Sequence, residues 1–191
     1  MPIDPALFRG WHRLPGASSE LLARVALEVG RPLPSEYIRL LGYMNGGEGF
    51  LGEAYVRLYS AEQLAPLNRA YGVQEWIPGH LLIGSNGGGE AIALAPDDRV
   101  VEVPFIPMDA RYSRLRAPDW DSFLAAGSLP GERPEPSPAY IGKEIHEIQP
   151  LIFGGDPCDP ANKAALSPEE HAPVVVWWNR RFREVAPNAA V

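Results

Sequence analysis

The sequence predicts an α+β protein, with helices gathered around antiparallel strands and not alternating with them. Three observations carry this. Two apolar-striped helical segments follow one another early in the chain, ending at Gly30 and at Asn45-Gly46-Gly47. Two apolar runs, Leu81-Leu82-Ile83 and Ala91-Ile92-Ala93-Leu94, flank Gly84-Ser85-Asn86-Gly87-Gly88-Gly89-Glu90, as two buried strands joined by a glycine turn would. After the Asp97-Asp98 turn, residues 100–105 return as another strand.

The elements follow in order. Phe8, Trp11 and Leu14 are the expected anchors of a mixed opening segment. Ser18-Ser19-Glu20 caps a first helix; Leu21, Leu22, Val25 and Val29 fall at helical spacing and Gly30 stops it. A second helix begins near Pro34-Ser35-Glu36, with Tyr37, Leu40, Leu41 and Met44 on its apolar face. Glu48-Gly49-Phe50-Leu51-Gly52-Glu53 then reads as a loop carrying two carboxylates. Tyr55-Val56-Arg57-Leu58-Tyr59 alternates as a strand. Ser60-Ala61-Glu62-Gln63 is a capping box, opening a helix through Leu64, Pro66 and Leu67 that stops at Gly72. Trp76-Ile77-Pro78-Gly79 is a turn before the hairpin. Pro118-Asp119-Trp120 opens a short helix that Gly127 ends.

From about residue 130 the composition changes, with Pro130, Pro134, Pro136 and Pro138 in quick succession. The expected organisation is a domain over 1–129, a proline-rich joint over 130–142 and a small strand-loop-helix appendage over 143–191. In the appendage, residues 144–153 read as a strand and 154–160 as a tight loop. Residues 162–166 read as a second short strand. Ser167-Pro168-Glu169-Glu170 caps a helix through Val174, Trp177, Trp178 and Phe182, with a kink expected at Pro173.

Composition bounds the function classes. The chain has 191 residues, 46% hydrophobic and 21% charged, enough for one core with a small addition and far from a disordered composition. Its 21 prolines are about twice the average share of ~5%. A formal net charge of −7 disfavours a generic phosphate-binding face and favours a basic partner. The lone Cys158 excludes an internal disulfide and a cysteine-rich zinc site. Met1-Pro2-Ile3-Asp4-Pro5 has no secretory pattern, and no apolar run approaches the ~20 residues of a membrane span, so a cytoplasmic protein is expected.

The glycine turn is not a nucleotide motif. A P-loop needs lysine and serine or threonine after its last glycine, and Glu90 and Ala91 stand there. A dinucleotide turn needs Gly-x-Gly-x-x-Gly leading into a helix, and this one leads into a strand. Two readings remain: a bare hairpin turn, or a surface whose exposed backbone groups and nearby Glu48, Glu53 and Glu90 receive a basic protein.

Leu33-Pro34-Ser35-Glu36-Tyr37, then Asn45-Gly46-Gly47-Glu48-Gly49-Phe50, then the strand at residues 55–58, Leu67-Asn68 and the stretch from Leu81 to Glu90 resemble, in order, the SMI1/KNR4 family of the SUKH superfamily. The resemblance covers roughly residues 10–127 and departs at Asn86, where aspartate is common. It implies a twisted antiparallel sheet with helices packed around it, no catalytic constellation and no cofactor. Bacterial members resemble immunity proteins that bind and neutralise polymorphic or contact-dependent toxins, many of them nucleases; fungal relatives are scaffolds in cell-wall signalling. The expected partner is thus a protein toxin or another basic protein, with no direct nucleic-acid or membrane contact. The expected face is Glu48, Glu53, Tyr59, Asn68, Asn86, Gly87, Gly88 and Glu90.

The appendage resembles a degenerate HNH endonuclease motif: His146 on a first strand, Gly154-Gly155, Asn162 near a second, and His171 on a following helix. That order can bring two imidazoles to one divalent ion with an asparagine fixing the loop. The position of the general-base histidine holds Glu147, a far weaker base. The unit therefore reads as non-cleaving, with His146, Asn162 and His171 a vestigial metal set at most; a metal-dependent nuclease is the rival class. Cys158, His12, His80 and the arginines Arg180, Arg181 and Arg183 carry no further chemistry by their spacing.

Overall fold

The computed structural model describes residues 3–126 and 137–186. The stop at Gly127 and the prolines Pro130, Pro134 and Pro136 of the expected joint lie outside the described residues. Seven antiparallel strands form one sheet in which strand order equals chain order: β1 (His12–Pro15), β2 (Met44–Leu51), β3 (Ala54–Leu58), β4 (Leu81–Ser85), β5 (Glu90–Leu94), β6 (Val100–Pro104) and β7 (Arg114–Ala117). A separate antiparallel pair joins β8 (Glu144–Glu147) to β9 (Lys163–Leu166). The helices are α1 (Ser19–Glu28), α2 (Ser35–Tyr43), α3 (Ala61–Ala70), the single turn α4 (Val73–Trp76), α5 (Trp120–Ala125) and α6 (Pro168–Val185).

The helix boundaries follow local chemistry. Ser18 accepts the Leu21 N–H at the start of α1, and Gly30 takes the left-handed conformation just past its end. Ser60 with Gln63, and Ser167 with Glu170, form reciprocal capping boxes on α3 and α6. The apolar stripes of α1 and α2 bury Leu22, Val25, Tyr37, Leu40 and Leu41. α6 runs as one element through Pro173.

Several expectations are corrected. Residues 48–51, read as a loop, belong to β2, which pairs with β3 from Gly47 opposite Leu58 to Leu51 opposite Ala54. Its glycines admit close neighbours: a Cβ on Gly49 would lie 2.4 Å from the Trp11 ring. β1 and β7 had no apolar alternation to reveal them, since their residues are exposed apart from Ala117. The strand expected over 144–153 ends at Glu147; after Pro150, which has no N–H to give a ladder, a 3-10 turn spans Leu151–Phe153.

α6 does not bury the face expected of it. Pro168, His171, Ala172, Val175 and Asn179 point inward, while Trp177 is 57% exposed. Ala172 and Val175 join the same hydrophobic core as the sheet and the N-terminal helices. Asn179 replaces apolar packing with hydrogen bonds: its Oδ1 accepts the Met108 N–H at 2.7 Å, and its Nδ2 donates to Phe105 O at 2.8 Å. α6 is thereby fixed to the segment after β6.

Candidate functional site

The hairpin between β4 and β5 is built around Asn86. Its Oδ1 accepts the N–H groups of Gly88 and Glu90 at 2.9 and 3.2 Å, and its own N–H meets Glu90 O at 3.0 Å. Gly87 has φ +74, and a Cβ there would come within 2.9 Å of the Tyr55 ring, so this position needs glycine. Gly88 and Gly89 do not. Neither has a left-handed φ; a Cβ would meet only Asn86 Oδ1 at 3.5 Å in the first case and nothing within 4 Å in the second.

The two glycine stretches lie together, and the chain's own C-terminal part sits on them. Glu48 accepts the Gly142 N–H at 2.7 Å on one carboxylate oxygen and the Tyr55 hydroxyl at 2.7 Å on the other. The Ile145 N–H donates to Gly87 O at 2.9 Å. Between these contacts Glu144, fully buried, receives the Ser85 hydroxyl at 2.8 and 2.9 Å from its two oxygens and the Arg57 guanidinium at 3.3 Å. Burial pushes the Glu144 carboxyl up to about 7, against Arg57 and Ser85, which pull it down.

The expected partner-binding residues therefore separate. Glu48 and Tyr59 are buried, Glu48 by its bonds to Tyr55 and Gly142, Tyr59 in the core against Tyr71. Asn68 is a clamp: its amide both donates to Leu82 O and accepts the Leu82 N–H at 2.8 Å, where the short β3–β4 ladder has ended. The Gly87 carbonyl is taken by Ile145. Glu53 is exposed but borders a different cavity, beside Leu115 and Phe123. Asn86 holds the turn from within, leaving Gly88 and Glu90, with Gly89, on the wall of a cavity of about 340 Å³.

The opposite wall of that cavity is the C-terminal unit: Ile145, His146, Glu147, Leu151, Ile152 and Lys163. His146 and His171 do meet, with His171 Nε2 3.1 Å from His146 Nδ1, and His171 Nδ1 lies 3.0 Å from the Tyr71 hydroxyl. Burial pushes the His146 imidazole down, against the Glu147 carboxylate, and His171 is pushed down to about 3 by burial, then by His146 and Arg57. His146 Nε2 is buried and makes no hydrogen bond among the described residues. Asn162 does not join the pair; its amide bonds Gln149 N, Gln149 O and Asp156 O, fixing the loop between β8 and β9. Among the described residues no three His, Cys, Asp or Glu side chains form a metal-holding group. Glu147 pairs with Lys163 at 2.9 Å and accepts the Leu151 N–H at 3.0 Å.

Sequence reading missed Glu144, Arg57, Ser85, Tyr71 and Asn179 as the polar groups that join the two parts. A signal existed for two of them. Arg57 interrupts an otherwise apolar strand, and Ser85 follows Leu-Leu-Ile-Gly; a polar residue in a fully buried strand needs a partner.

No curated protein matches the chain. Among solved structures, the crystal structure of Atu4351 from Agrobacterium tumefaciens has a similar fold, with a TM-score of 0.56 at 14% identity. That similarity covers 91% of this chain and 87% of the other. Among the described residues no helix is long and apolar enough to cross a membrane. The family model of SMI1 / KNR4 (SUKH-1) matches residues 16–126, from the cap region of α1 to the end of α5. With more than half its length so matched, and with that antiparallel sheet and its packed helices, the chain belongs to the SMI1/KNR4 family (SUKH-1).

Proposed function

We propose that this chain is a non-catalytic protein-binding module that neutralises a bacterial toxin by covering its active site. Family membership supports a protein partner, since the SMI1/KNR4 family is generally non-catalytic and consistent with an immunity role. The observation that carries the reading is the bare outer side of the β4–β5 hairpin. Gly88 and Gly89 lack side chains that the fold has room for, and they stand beside a half-buried carboxylate, Glu90. A surface that no side chain covers, next to an acid, suits contact with a basic protein, although the Gly88 N–H is taken by Asn86 and the Gly89 carbonyl by the Phe105 N–H. The net charge of −7 steers such a partner toward the molecule.

The nuclease reading gains nothing comparable. Glu147, in the place of the base, is held by Lys163 and the Leu151 N–H, and Asn162 is committed to its loop.

The test is co-expression with a toxin encoded beside this gene. The expected result is restored growth and a co-eluting complex; continued toxicity with no complex overturns the reading. Plasmid nicking by the purified protein with added magnesium, manganese or zinc, abolished by His146→Ala, would instead establish the nuclease.

A further inference from the structure

We propose that the cavity between the β4–β5 hairpin and the β8–β9 unit receives one basic side chain, arginine or lysine, of the protein partner. The proposal deepens, and rests on, the reading of the chain as a binder of a basic protein.

Four observations converge on this cavity. First, its volume of about 340 Å³ lies at the lower end of the ~300–1,000 Å³ typical of ligand pockets, enough for a long side chain. Second, Glu90 on its wall is half-buried and makes no ion pair or side-chain hydrogen bond among the described residues. Arg114 on β7 draws its pKa down and Glu102 on β6 draws it up, yet burial is the largest influence, and it raises it. A carboxylate desolvated without a partner gains from an incoming cation. By contrast, Glu147 across the cavity already has Lys163.

Third, the walls suit the stem of such a side chain. Ile106, Leu151 and Ile152 border the cavity, and Leu151 and Ile152 are 63% and 47% exposed although both are large and apolar. Lysine and arginine cover apolar surface with their methylenes while their heads seek charge or water. Fourth, His146 lines the cavity and is only 5% exposed, and its buried Nε2 has no hydrogen-bond partner among the described residues. In one tautomer of the Tyr71–His171–His146 chain this atom carries a lone pair, an acceptor that a guanidinium or ammonium N–H reaches once the His146 ring turns toward the cavity. Gly88 and Gly89 line the cavity without side chains, and among the described residues a Cβ at either would meet no clash.

The experiment is an amide and imidazole NMR titration of the full chain. The probe is Nα-acetyl-arginine amide, and Nα-acetyl-norleucine amide is the uncharged control of similar stem. The expected result is saturable shifts at Gly88, Gly89, Ile145 and the His146 ring, with half-saturation in the millimolar range that a single side chain supplies. Norleucine amide should bind about fivefold more weakly, and Glu90→Gln should weaken the arginine probe by about the same factor. Gly89→Trp, which enters open space, should abolish the shifts while the remaining amide spectrum is kept. Four results would each overturn the proposal: no saturation up to about 50 mM probe, equal binding of norleucine amide, shifts centred elsewhere, or shifts that survive both variants. Failure here and failure of the immunity reading are separable. A toxin complex unaffected by Gly89→Trp and Glu90→Gln refutes the pocket alone. Specific arginine binding without toxin rescue refutes immunity alone.

Discussion

Glu144 is the residue on which the junction of the two parts turns. Its carboxyl has no exposure, yet Ser85 and Arg57 both direct donors at it. Its folded pKa, about 7, lies above the reference of 4.5, so folding favours the protonated form. The stability it contributes is fully present below 4.5 and is lost as the pH rises through about 7. His171 has the opposite sign: its folded pKa, about 3, lies below 6.5, so its contribution is present above 6.5 and lost as the pH falls toward 3. Glu144→Gln removes the first dependence and keeps an oxygen for Ser85 and Arg57. Urea midpoints of this variant should therefore fall less than wild type between pH 5 and pH 8; identical slopes would place the titration elsewhere. Asn68 gives a second test at this scale. Asn68→Ala leaves the N–H and C=O of Leu82 unpaired and should cost about 1–3 kcal/mol in urea unfolding. A residue serving only partner contact would leave stability unchanged.

Among the elements, α6 shows how a local signal and a distant one combine. Its start is local: Ser167 accepts the Glu170 N–H, and Glu170 returns a bond to the Ser167 N–H. Ser167→Ala should cost about 1 kcal/mol, read from thermal or urea unfolding. Its rotation about its own axis is not local. Val174, Trp177, Trp178 and Phe182 make the more apolar stripe, but the stripe carrying His171 and Asn179 faces the core, because Tyr71, Met108 and Phe105 there offer the hydrogen bonds those side chains need. Asn179→Leu keeps the volume and strands two backbone groups, so a loss of about 1–3 kcal/mol is expected despite the gain in hydrophobicity. The hairpin β4–β5 lies at the other extreme. Its apolar runs and glycine turn were legible because strand, turn and strand are contiguous, and the observed register pairs Leu81 with Leu94 and Ser85 with Ala91. What that turn faces was not legible, since its cover comes from residues 142–147.

For the whole molecule, charge and chain order act together. If the partner is basic, association should be steered by the field of a protein with net charge −7. Raising ionic strength from about 0.05 to 0.3 M should then slow association several-fold while changing dissociation little, measured by stopped flow. The amino-acid sequence by itself determined the α+β class, the caps of α1, α3 and α6, and the hairpin, because each is encoded by neighbours within a few residues. It also carried the family resemblance and the acidic balance. Only the tertiary structure decided that residues 48–51 are strand, that Glu48, Tyr59 and Asn68 face inward, and that residues 142–147 lie on the glycine stretches. The bonds responsible join Glu48 to Gly142, Ser85 to Glu144 and Tyr71 to His171, partners 94, 59 and 100 residues apart. Burial of a polar side chain is set by what packs over it, and no periodicity in the chain records a partner that arrives from so far along it. Of the surface once expected around the glycine turn, the packing leaves Gly88 and Glu90 beside a cavity, and burial leaves Glu90 an acid with no ion pair among the described residues.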